Sequence, residues 1–185
     1  MLHMSQNNYK IELIQTLLKH ENHIRGLAKD LGTNQMTVSR KIKELYKENI
    51  VDYKEEGKNK VFYLKKTLEA KQYACIAELY KLFAIIKQYP KLRTVFEKIR
   101  EKDTISLAIL FGSYAKCLAT IESDIDVYIE TQDVKIQKEI ELIDTKLSVK
   151  IGKYDHQNIL IKEIQKNHII IKGVEEYYEK NQFFA

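Results

Sequence analysis

Two short segments carry the residues best suited to chemistry. Leu110-Phe111-Gly112-Ser113-Tyr114-Ala115-Lys116 reads as an apolar strand ending in a Gly-Ser turn. Ser123-Asp124-Ile125-Asp126-Val127 reads as a second strand with acids at i and i+2. Side chains two apart on a strand share a face, so Asp124 and Asp126 converge. Two converging carboxylates form a hard-oxygen site suited to Mg²⁺ or Mn²⁺. A Gly-Ser turn offers backbone N–H groups to phosphate oxygens. A phosphate cradle beside a divalent-cation site suits chemistry on a nucleoside triphosphate.

These residues resemble the nucleotidyltransferase superfamily that includes DNA polymerase beta, whose signature is G-S, a short helix, then D-x-D. They are most similar to its minimal nucleotidyltransferase branch, with G-S-x-A-R-G in the turn and S-D-I-D in the strand. Gly112, Ser113, Ala115, Ser123, Asp124, Ile125 and Asp126 match, Lys116 stands in for the arginine, and Cys117 replaces the following glycine. The resemblance implies that Asp124 and Asp126 are catalytic and hold Mg²⁺ or Mn²⁺. It implies that Gly112, Ser113 and Lys116 contact the triphosphate, and that a hydroxyl attacks the α-phosphate. The family also uses a third carboxylate on the next strand. Here that strand is Leu147-Ser148-Val149-Lys150-Ile151, whose site-facing residues, Ser148 and Lys150, are not acids, with Asp144 and Asp155 flanking it. Two readings follow: an active transferase, or a regulator that keeps the fold for nucleotide sensing or protein interaction. By the same resemblance, a HEPN-type ribonuclease is an implied protein partner.

The elements that must position this site are legible as periodicity. Apolar residues at helical spacing predict helices at about residues 9–20 and 24–31, with Gly32 as a stop. Thr33 or Asn34 can cap a third helix that buries Val38, Ile42, Leu45 and Tyr46. Two β-rich runs, 50–54 and 60–64, flank a glycine-containing turn and read as a hairpin. This pattern resembles the winged helix-turn-helix family, which implies DNA as a partner. The third helix would then present Asn34, Gln35, Thr37, Ser39, Arg40, Lys41 and Lys43, with Lys58 and Lys60 at the hairpin tip. Residues 67–89 read as one long helix with Leu79, Leu82, Phe83 and Ile86 on one face, ended by the only proline, Pro90. A helix at 91–102 follows. That apolar face is a candidate homodimer surface. Beyond it, strands at 105–111, 124–130 and 147–152 alternate with helices at 134–145, 155–166 and 174–180, around a short apolar run at 168–172.

The expected fold is therefore α+β. A winged helix-turn-helix (1–66) leads through a helical linker (67–102) to a nucleotidyltransferase-like α/β domain with a small mixed sheet (103–185). Charge supports this division. Residues 1–66 hold 13 Lys and Arg against 8 Asp and Glu, which accounts for the whole net charge of +5. A local positive excess is the footprint of nucleic-acid binding. No apolar run reaches membrane-span length, and the first residues lack a secretion-signal core. Cys75 and Cys117 lie far apart, without metal-type spacing, and read as free thiols of a cytoplasmic protein. His20 and His23, at i and i+3 near a helix end, could clip a metal but more commonly complement a helix dipole.

Overall fold

The computed structural model describes residues 9–184. The chain divides into two compact units. One runs to Tyr80 and takes in residues 183–184, and the other spans Lys81–Gln182.

The first unit opens with α1 (Tyr9–Leu17), a short strand β1 (Asn22–His23), α2 (Ile24–Asp30) and α3 (Gln35–Lys47). The hairpin β2 (Val51–Glu56) and β3 (Asn59–Leu64) follows, and the sheet order is β1-β3-β2. This is a winged helix-turn-helix. Its core joins Leu13, Ile14 and Leu17 of α1 to Leu27 of α2, Val38, Ile42 and Leu45 of α3, and Phe62 of β3. The strand β1 was not expected. Two residues are too few for a periodic signal, and only pairing with Val61 and Phe62 defines it.

The turns follow from backbone chemistry. Helix α2 ends in a Schellman motif: Gly32 N–H bonds the Lys29 carbonyl and Thr33 N–H bonds the Ala28 carbonyl. Gly32 sits at φ +60°, a conformation glycine adopts without penalty. Asn34 then caps α3, its side chain accepting from Thr37 N–H at 2.8 Å.

Helix α4 (Leu68–Gln88) is a single helix whose residues divide between the units. Its Ala70 and Ala77 belong to the first core, while Leu82 and Ile85 belong to the second. The apolar face of Leu79, Leu82, Phe83 and Ile86 is covered only in part. Leu82 is buried, but Leu79 and Phe83 are 40% and 68% exposed.

The second unit continues with α5 (Leu92–Glu101), β4 (Ala108–Leu110), α6 (Gly112–Ala115), β5 (Ile125–Glu130), α7 (Val134–Glu141), β6 (Leu147–Gly152), α8 (Ile159–Lys166), β7 (Ile169–Lys172) and α9 (Val174–Lys180). The sheet order is β6-β5-β4-β7, with β5–β6 parallel and the other pairs antiparallel, giving the small mixed sheet expected. One sheet face, with Leu110, Val127 and Val149, packs on Leu92, Val95, Phe96 and Ile99 of α5. The other presents Tyr128, whose ring meets Tyr154, which in turn meets Tyr177. Helices α7 and α8 are shorter than their periodicity suggested. Helix α8 starts at Ile159 because Asn158 caps it, accepting from Leu160 N–H at 2.8 Å. Residues 144–146 leave α7 for a turn in which Asp144 accepts from Lys146 N–H.

Strand β6 lies at the sheet edge, and α7 closes that edge. Gln137 donates to the Val149 carbonyl at 2.8 Å, and Glu141 accepts from Val149 N–H at 3.3 Å. Bare edges invite pairing with other chains. Replacing both side chains, Gln137→Leu with Glu141→Leu, should cost roughly 2–4 kcal/mol, because each orphaned buried group costs about 1–3 kcal/mol. Urea unfolding reads the loss, and light scattering should show concentration-dependent self-association. Unchanged stability would mean that water satisfies Val149 as well as the side chains do.

Candidate functional site

The Gly-Ser turn and the two acids meet. Phe111 N–H donates to the Asp126 carbonyl at 2.9 Å, extending the β4–β5 ladder to the residue before the turn. Gly112 follows at φ +69°. A Cβ on Gly112 would lie 2.3 Å from Asp126 Oδ2, so the carboxylate occupies the space a side chain would take. Glycine is required here twice, by backbone conformation and by close approach. The turn then enters α6, whose first N–H groups have no intrahelical acceptor.

Cys117 stands where the resembling motif has glycine, and the turn is nevertheless intact. Cys117 N–H bonds the Tyr114 carbonyl at 2.9 Å and Leu118 N–H bonds the Ser113 carbonyl at 3.0 Å, a Schellman motif with Cys117 at φ +57°. A left-handed non-glycine residue costs about 1–2 kcal/mol, which the paired carbonyls offset in part. The connection to β5 is held at three points. Thr120 N–H bonds Ser123 Oγ, Lys146 Nζ bonds the Ile121 carbonyl, and Ile125 N–H bonds the Lys146 carbonyl.

Asp124 precedes β5 and Asp126 lies within it. Burial, then the neighbouring Asp124, push the Asp126 carboxyl above its ordinary value, while Lys150 pulls it down. The parallel register sets Ser148 opposite Asp126 and Lys150 opposite Tyr128, so both share the Asp126 face, as expected. Among the described residues no third carboxylate, histidine or cysteine groups with the two acids. Asp144 and Asp155 accept from Lys146 N–H and Gln157 N–H in local turns. Lys116 is placed away from a free role: its ammonium bonds Glu163 of α8 at 2.7 Å, and that bond holds the Glu163 carboxyl below its usual range. Glu163 was invisible to sequence reasoning because 47 residues separate the pair.

The first unit carries a second candidate site, a groove of about 770 Å³ between α3, the start of α2 and the hairpin. Gln35, Ser39, Lys43, Lys58 and Lys60 of the expected set line it, and Arg40 lies on an adjoining hollow with Met36. Asn34, Thr37 and Lys41 do not. They follow i, i+3, i+7 spacing along another flank of α3. Asn34 is spent on the cap, and Lys41 pairs with Glu44 at 2.8 Å. The groove adds His23, Arg25, Tyr46, Lys47, Tyr53 and Asn59, which sequence reasoning missed. Arg25 at the second position of α2 was the one readable signal. Tyr46, expected in the core, is 50% exposed and meets Tyr53 of the hairpin at 6.1 Å. Lys60 lies over the Tyr53 ring at 3.9 Å. The two histidines face separate partners. His20 Nε2 faces Asp30 at 3.2 Å, and His23 Nδ1 faces Asn22 Oδ1 at 2.7 Å.

The second unit thus has the sheet, glycine turn and acid pair of a nucleotidyltransferase domain. Residues 91–177 match the family described as polymerase beta, nucleotidyltransferase. Solved structures similar to part of this chain include two repressors and a winged helix-turn-helix domain. The transcriptional repressor BigR from Xylella fastidiosa is 23% identical over 43% of this chain and 75% of its own, with a TM-score of 0.37. The adhesin competence repressor AdcR from Streptococcus pyogenes is 20% identical over 49% and 69%, with a TM-score of 0.41. The homodimeric winged helix-turn-helix DNA-binding domain of Mb0332 from Mycobacterium bovis is 18% identical over 48% and 75%, with a TM-score of 0.34. No curated protein matches the chain. No helix among the described residues is long and apolar enough to cross a membrane.

The Asp126 shift has a thermodynamic consequence. A carboxyl whose folded pKa exceeds its ordinary value of 3.8 opposes folding wherever it is ionised. That penalty is full above the folded pKa, fades as pH falls from there to the ordinary value, and is gone below it. Asp126→Asn should therefore stabilise the metal-free protein at neutral pH, with the gain disappearing by about pH 3. Urea midpoints across that range check it, and a gain that grows in acid would refute the assignment.

Proposed function

We propose that the chain binds DNA through the groove of its first unit and a nucleoside triphosphate with Mg²⁺ or Mn²⁺ at the Gly112–Asp126 site. There it transfers a nucleotidyl group to a hydroxyl acceptor. The observation that carries this reading is the contact of the Gly112 backbone with the Asp126 carboxylate, which makes phosphate cradle and acid pair one site. The donor set fits a divalent cation. Two hard carboxylates lie close enough for Asp124 to raise the Asp126 pKa, and a cation relieves that repulsion. Asp124 and Asp126 would hold it, and when bound it would polarise phosphoryl oxygens and neutralise their charge. The N–H groups of Gly112 and Ser113 bind the phosphates and orient the chain of the triphosphate. The acceptor oxygen forms a bond to the α-phosphorus as the bond to the bridging oxygen breaks. Pyrophosphate leaves and the hydroxyl proton passes to solvent.

A second reading, a regulator that binds nucleotide without turnover, is favoured because no third carboxylate among the described residues groups with Asp124 and Asp126. Under either reading, exposed Ile76, Leu79 and Phe83 at i, i+3 and i+7 on α4 support a homodimer.

Labelled nucleoside triphosphates with Mg²⁺ or Mn²⁺ separate the two. Pyrophosphate release that vanishes in Asp124→Ala/Asp126→Ala establishes transfer. Binding without release establishes the regulator, and neither signal refutes a nucleotide site.

The groove makes a separate prediction. Lys43→Ala and Lys58→Ala should each weaken duplex DNA binding across sequences and reduce the slope of log K against log salt by about 1. Lys41→Ala, its ammonium already held by Glu44, should leave the slope unchanged. Fluorescence anisotropy at several salt concentrations decides it. An equal effect from Lys41 would place the DNA on the other flank of α3.

A further inference from the structure

The register of β5 and β6 sets a cation where a second metal ion would need an anion. Asp126 pairs with Ser148 and Tyr128 with Lys150, so Asp126, Ser148 and Lys150 project from one face. Same-face neighbours along a strand are about 6–7 Å apart, and adjacent strands about 4.8 Å. A lysine stem of four methylenes spans such a gap. Lys150 is exposed, and among the described residues it has no ion-pair partner. Its ammonium is therefore uncommitted, unlike that of Lys116, which Glu163 holds. The charge of Lys150 already acts on Asp126.

One divalent cation between Asp124 and Asp126 balances the two carboxylates and leaves the triphosphate's negative charge in excess. A second divalent cation would find no third carboxylate and would sit beside an ammonium that repels it. We propose that this site binds one divalent cation rather than two, and that Lys150 supplies the remaining positive charge directly to the triphosphate. Lys150 is then a nucleotide-binding residue, and Ser148 marks the vacant third-ligand position. This rests on the nucleotide reading above.

Equilibrium dialysis of the full chain with Mn²⁺ and each α,β-methylene ribonucleoside triphosphate tests it, with manganese and nucleotide both counted per chain. Wild type should retain one Mn²⁺ per bound nucleotide. Lys150→Gln should weaken analogue binding about tenfold, and Lys150→Arg, which keeps the charge, should restore it. Ser148→Asp combined with Lys150→Gln should retain two Mn²⁺ per nucleotide, because it supplies a third acid and removes the repelling charge. Unchanged thermal unfolding of each variant by circular dichroism establishes that the effects are local. Two Mn²⁺ per nucleotide in wild type, or undiminished analogue affinity in Lys150→Gln, overturns this proposal and leaves the nucleotide site standing. No nucleotide retained by wild type overturns the nucleotide site, and this proposal with it.

Discussion

The candidate active site depends on one contact, the Asp126 carboxylate lying against the bare Cα of Gly112. The contact needs a residue without a Cβ, in a left-handed conformation, at the end of a buried strand. Phe111 N–H bonding the Asp126 carbonyl holds the two chains in register, so the acid and the turn cannot drift apart. The position of α6 and the approach of the Asp124 segment follow from it. It also carries an electrostatic cost. The same packing that brings the turn to the acid removes water from the carboxylate and raises its pKa. Burial and the neighbouring Asp124 thus both oppose the charge of Asp126.

Around that contact the chain tolerates substitution where backbone hydrogen bonds can compensate. Cys117 adopts the left-handed conformation that glycine would take more cheaply, and two N–H groups complete the motif around it. Lys116, which keeps the charge expected at its position, is drawn to Glu163 on a helix far along the chain. The turn keeps its shape while the Lys116 ammonium bonds a carboxylate remote in sequence. Ser148 and Lys150 complete that shift, leaving the acid pair opposed by a hydroxyl and an ammonium.

The first unit solves a different problem, that of presenting positive charge without self-neutralisation. Its groove gathers Arg25, Lys43, Lys47, Lys58 and Lys60 from α2, α3 and the hairpin, with no carboxylate in the lining. Glu44 is drawn to Lys41 and Glu21 to Lys54, while Glu55 faces Lys60 across the hairpin. An aromatic floor of Tyr46, Tyr53 and Phe62 supports the lysines, one of which lies over the Tyr53 ring. Long cationic stems cover apolar surface while their heads remain in water.

Read alone, the amino-acid sequence was enough for what local spacing controls. It determined the helices of the first unit, the hairpin, the glycine turn, the i and i+2 placement of the acids, and the non-acidic character of the next strand. These depend on side-chain periods and backbone preferences that act within a few residues. Tertiary structure alone decided which partner each polar group takes. Lys116 meets Glu163, and Tyr46 leaves the core for Tyr53. It alone made β1 a strand, divided the apolar residues of α4 between two cores, and closed the β6 edge with Gln137 and Glu141. Those outcomes depend on distances between residues remote in sequence, or on a choice among helix faces that only packing makes. Coulomb and hydrogen-bond energies are set by those distances, and no periodicity encodes them.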